Sequence, residues 1–60
     1  MEAKVNNFLF KLDKANRVIE VFEGSEAVRP VGLIRVRDFL TEKDFHTEVS
    51  YWMMDNGNDF

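Results

Sequence analysis

His46 is the one histidine in the chain, and any general acid–base chemistry near neutral pH would start from it. Glu42 and Ser50 stand four residues to either side, so on a helix the three side chains share one face. Their composition is that of a nucleophile, a base and an orienting carboxylate. Such a set works only when it converges on a concave site, and successive turns of one exposed helix do not converge. The sequence has no cysteine, no zinc-ligand spacing, no phosphate-binding glycine loop and no Gly-x-Ser-x-Gly elbow. The residues therefore predict a solvated His46, no catalytic residue, no cofactor and no metal.

Charge is the stronger signal. Residues 1–28 sum to −1, residues 29–37 carry Arg29, Arg35 and Arg37 with no acid, and residues 38–60 sum to −5. So acidic a C-terminal third repels phosphate backbones, which argues against direct nucleic-acid binding and for a basic surface on another protein. The same third is rich in aromatic residues. On a helix Glu48, Trp52 and Asp55 fall at i, i+4 and i+7, with Glu42 at the margin of that stripe. Acids would steer association while Trp52 supplied a desolvated anchor. Phe60 ends a tail, Asp55 to Phe60, that is similar to the acidic Phe-terminated tails with which bacterial single-stranded-DNA-binding proteins dock their partners. The expected partner surface is thus Glu42, Glu48, Trp52, Asp55 and Phe60. Arg29, Arg35 and Arg37 form a secondary basic patch, in which Arg35 and Arg37 share one strand face and Glu20 is the nearest candidate counter-ion.

Elements that could position these groups follow from periodicity. Phe8, Phe10 and Leu12 alternate with Leu9, Lys11 and Asp13, the period of a half-buried strand over about 5–13. A polar Asp13–Asn16 turn leads to a second strand at 17–23, with Ile19 and Val21 on one face. Gly24-Ser25-Glu26 breaks it, and a third strand runs over 31–37 after Pro30. Thr41 is a helix N-cap, with Asp44 at the third helical position. Phe45, Val49, Trp52 and Met53 then recur as one apolar stripe, and Asn56-Gly57 is a stop. The expected fold is α+β: a three-stranded antiparallel sheet with a C-terminal helix over about 42–55. Residues 47–53 also alternate, and the alternative is a four-stranded meander with that segment as a strand.

Sixty residues make a single domain over 1–60, with 56–60 as a flexible tail. A core of this size supplies about 3–5 kcal/mol. Eight aromatic residues exceed what it can enclose, so Leu9, Phe22, Tyr51 or Met54 should remain partly exposed and a homodimer is one way to cover them. No apolar run spans a bilayer and no leader pattern follows Met1, so the expectation is a cytoplasmic protein without membrane contact. Together these features predict a small acidic regulator or inhibitor of a larger protein, including nucleic-acid-handling ones, of the sort phages and mobile elements encode.

Pro30-Val31-Gly32-Leu33-Ile34-Arg35-Val36-Arg37-Asp38, followed after a gap by Glu48-Val49-Ser50-Tyr51-Trp52-Met53, resembles the central meander of the GNAT-family N-acetyltransferases. In the ribosomal-protein and antibiotic branches a PIGxIxLRD strand precedes an AEIGYW strand. With Val18–Glu23 as the preceding strand the likeness covers residues 18–53, and Ser50 stands where the family prefers glycine. It implies that 47–53 is a strand and that the chain is a fragment or degenerate relative of an acyltransferase. The family's acyl-CoA loop has no counterpart among these sixty residues, so no residue carries over as a cofactor ligand. Residues 32–38 are also similar to the strand-to-helix corner of CBS domains, with Arg35 in place of the ribose-contacting Thr or Ser.

Overall fold

The computed structural model describes residues 1–24, 29–37 and 40–56. Four strands, β1 (Glu2–Val5), β2 (Phe8–Asp13), β3 (Val18–Glu23) and β4 (Pro30–Arg35), precede one helix, α1 (Glu42–Asn56). The strands pair antiparallel in sequence order, β1-β2-β3-β4. The α+β class and the C-terminal helix are as the periodicity predicts. The sheet has the four strands of the alternative, but the additional strand is Glu2–Val5. Residues 47–53, which the acyltransferase resemblance makes a strand, lie inside α1.

The expected first strand over 5–13 divides because the chain reverses at Asn6-Asn7. Val5 pairs with Phe8 across this two-residue loop, and Asn6 has φ of 55°. Asparagine visits the left-handed region more readily than other non-glycine residues, which lets so short a loop close without glycine. In the next loop Asp13 accepts from the Asn16 backbone N–H at 3.2 Å and from its side-chain amide at 2.8 Å. Those bonds, the side-chain amide foremost, hold the Asp13 carboxyl below its ordinary range. Gly24, at φ 85°, closes β3 and donates its N–H to the Asn7 carbonyl at 2.7 Å.

Register sorts the side chains. Ala3 faces Phe10 and Val5 faces Phe8; Phe10 faces Val21 and Leu12 faces Ile19; Ile19 faces Ile34 and Val21 faces Gly32. This face is covered by α1. Phe10, Ile19, Val21, Phe45 and Val49 form its buried centre, with Trp52 and Met53 packed against it. Burying such side chains is worth about 1.5–3 kcal/mol each, which is what fixes the helix on the sheet. The apolar stripe predicted for 42–55 is the stripe that docks.

The N-terminus of α1 is capped reciprocally. Asp44 donates its N–H to Thr41 Oγ1 at 3.1 Å, and the Thr41 N–H reaches Asp44 Oδ2 at 3.4 Å. Leu40 and Phe45, on either side of that box, both belong to the apolar cluster. At the other end Asn56 Nδ2 donates to the Trp52 carbonyl at 3.2 Å. Gly57, the expected stop, lies outside the described residues.

Among the described residues no helix lies on the opposite sheet face. Leu9 and Phe22 face each other there, as do Lys11 and Glu20. Phe22 is only 6% exposed, so it leaves the set expected at the surface, whereas Tyr51 and Met54 are exposed as expected. Leu9 opposite and Lys11, whose ammonium sits 6.0 Å from the ring centre, account for part of that cover. Leu33 at 62% and Val31 at 54% are the exposed aliphatics instead. Val31 is the extra residue of a β-bulge, since Val21 pairs with Gly32 and Phe22 with Pro30.

Candidate interaction surface

Gly32 and Trp52 fix how α1 lies over β4. A Cβ on Gly32 would stand 3.1 Å from Trp52 Nε1 and 3.3 Å from Cζ2, so only glycine lets the indole settle on the strand. The ring also meets Phe8 and Phe10 edge-on, at 5.1 and 5.6 Å between centroids. Trp52 is therefore a partly buried strut between helix and sheet. This corrects its expected place as an exposed anchor: a residue of the apolar stripe cannot also stand on the solvent side.

The acids expected beside it divide between two flanks of the helix. Glu42 lies toward the β1 edge, where it shares a shallow cavity with Met1, Glu2, Phe45 and His46. His46 Nε2 is 4.0 Å from Glu42 Oε1, both side chains are mostly exposed, and the arrangement is a surface pair. Glu48 lies on the opposite flank, toward β4. Asp44, Glu48, Tyr51 and Asp55 fall at i, i+4, i+7 and i+11, and together they line this flank as one stripe. Tyr51 is 60% exposed among the acids and takes the outward position expected for Trp52. Phe60 lies outside the described residues.

The basic patch also rearranges. Arg29 precedes β4 and Arg35 ends it, so the six-residue strand Pro30–Arg35 separates them at about 3.3 Å per residue. Arg29 is thus not grouped with Arg35 and Arg37. Lys14 and Arg17 are instead brought to that end by the β2–β3 loop, and with Arg37 they rim a cavity of about 150 Å³ floored by Leu12, Val36 and Leu40. Glu20 pairs across the sheet with Leu33, and Arg35 with Val18. Among the described residues no ion pair joins Glu20 to Arg35.

Between the end of β4 and the acidic flank runs a groove of about 610 Å³, lined by Arg35, Val36 and Arg37 on one side and Asp44, Thr47 and Glu48 on the other, with Leu40 between. The expected acidic surface and the expected basic patch meet here, in part, on opposite walls. The signal for this was present in the sequence, as the i, i+4, i+7, i+11 spacing of Asp44, Glu48, Tyr51 and Asp55. It emerges once the direction of the docked stripe is known. No family model, curated protein or solved structure matches this chain. Among the described residues no helix is long and apolar enough to cross a membrane.

Proposed function

We propose that this chain is a small acidic protein-binding module without enzymatic activity: a cytoplasmic regulator or inhibitor, of the kind phages and mobile elements encode. Its partner is a larger protein with a basic surface, as nucleic-acid-handling proteins carry. The observation that supports this reading is the acidic flank of α1, with exposed Tyr51 set among Asp44, Glu48 and Asp55, beside β4, the edge strand among the described residues, with exposed Val31 and Leu33. Acids raise the rate of encounter with a cationic partner, and exposed apolar groups supply the desolvation that holds it. Affinity capture from a lysate with wild type and with Glu48→Lys/Asp55→Lys tests the reading. The wild type should retain a basic protein in stoichiometric amount and the variant should lose it; a folded variant that retains every partner refutes the acidic surface.

The second reading is a degenerate acyltransferase-like meander, favoured by the four antiparallel strands in sequential order. Acetyl-CoA binding detected by calorimetry would put it first; the helix at 47–53 is the feature that stands against it.

A further inference from the structure

The C-terminal end of β4 and the acidic flank of α1 face the same space, and this gives the partner a conformation as well as a charge. Among the described residues β4 is the last strand of the sheet, and one row of its backbone groups has no ladder partner there. Val36 donates its N–H to the Arg17 carbonyl at 3.0 Å, which sets the phase of the strand. Alternation then points Ile34 and Gly32 toward β3 and turns the N–H and C=O groups of Leu33 and Arg35 outward.

We infer that this edge accepts an extended segment of a partner protein as a fifth strand, and that the segment alternates basic and apolar residues. The inference rests on the binding reading above and specifies its ligand. On an added strand every second side chain would point to the helix side, where it meets Asp44 and Glu48 across the groove; Asp55 continues the same helix flank seven residues further on. The intervening side chains would lie on the open face beside Leu33, 62% exposed. Lys or Arg suits the first set and Val, Ile or Leu the second. Arg35 and Arg37 line the wall opposite Asp44 and Glu48, and directly beside them a cation is disfavoured.

A second copy of this chain fits the site less well. Paired antiparallel, its own β4 would offer Gly32, Ile34 and Val36 to the acidic flank, with no cation among them. Main-chain hydrogen bonds would still form, but the carboxylates would be left unmatched.

The probe is a blocked heptapeptide of alternating Val and Lys, titrated into the 15N-labelled full chain. Three controls accompany it: the Val/Glu counterpart, the same Val/Lys peptide N-methylated at every second residue on its pairing edge, and the chain carrying Asp44→Lys/Glu48→Lys. Binding should shift the Leu33 and Arg35 amides, be absent for the Val/Glu peptide, and weaken about tenfold or more with the N-methylated peptide and with the charge-reversed chain. Since Asp44 also caps α1, Glu48→Lys/Asp55→Lys serves if the first variant unfolds. N-methylation leaves the protein untouched and separates strand addition from surface attraction. Equal binding of the methylated peptide, binding of the Val/Glu peptide, shifts confined to the β1 edge, or no binding overturns the inference. Concentration-dependent protection of the β4 amides without peptide overturns it too, in favour of a second copy. A wild-type chain that captures its partner while ignoring the peptide rejects strand addition and leaves the binding module standing.

Discussion

Gly32→Ala should destabilise this protein, although alanine in a strand is ordinarily favoured over glycine by about 0.5–1 kcal/mol. The new Cβ would lie 3.1 Å from Trp52 Nε1 and 3.3 Å from Cζ2, inside normal contact distance. The indole must withdraw by a few tenths of an ångström, and Phe8 and Phe10 stand edge-on against it at 5.1 and 5.6 Å. Overpacking of this kind costs about 1–3 kcal/mol, so the net effect is a loss of about 1 kcal/mol. For a domain of this size that lowers Tm by about 4–8 °C. Trp52→Phe removes the atoms that the new methyl would meet, and in that background Gly32→Ala should be neutral or stabilising. The two changes should therefore couple by about 1–2 kcal/mol in a double-mutant cycle. Urea unfolding followed by far-ultraviolet circular dichroism reads all four proteins, including those without the tryptophan. A rise in stability on Gly32→Ala in the wild-type background, or an identical shift in both backgrounds, would refute the packing of α1 on β4.

Thr41→Ala should cost about 1 kcal/mol, because the hydroxyl that accepts the Asp44 N–H at 3.1 Å is lost; thermal melting that is unchanged would contradict the cap. Asn6→Ala should cost about 1 kcal/mol and Asn6→Gly little or nothing, since φ there is 55°; equal melting of the two variants would refute a left-handed turn. Asp13 titrates below its ordinary value through its bonds from Asn16, so its contribution to stability is present above the unfolded value and fades as pH falls through the lower folded one. Asn16→Ala should move the Asp13 carboxyl midpoint upward in an NMR titration, and an unmoved midpoint would show that the side-chain bond does not hold it.

The helix was legible in the sequence because local and tertiary signals agree there: the Thr41–Asp44 cap, the Phe45-Val49-Trp52-Met53 stripe and the docked face are one pattern. β2 and β3 were equally plain, since Phe10 and Leu12 alternate toward the helix and meet Val21 and Ile19 in register. β1 was not, because Glu2-Ala3-Lys4-Val5 has weak strand propensity and is made a strand by its pairing with β2. The division of the acids between two flanks, and the company kept by Arg35 and Arg37, depend on which way the helix lies and on a loop some twenty residues earlier in the chain. Periodicity within a segment carries neither. Trp52 had two assignments in the sequence, stripe and anchor, and packing allows it only the first.

The sequential order β1-β2-β3-β4 bears on how quickly the chain finds its structure. Every strand pairing joins neighbours in sequence across short loops, so little loop-closure entropy precedes each gain, and such topologies fold fast for their sheet content. The hairpin of β2 and β3, with the Asp13–Asn16 bonds closing its loop, is the element best placed to nucleate. α1 comes after the whole sheet in the chain, so during synthesis the face made by Phe10, Ile19 and Val21 emerges before the helix that covers it. Until Phe45 and Val49 arrive, that face is apolar and uncovered, and the nascent sheet is then at its most vulnerable to association.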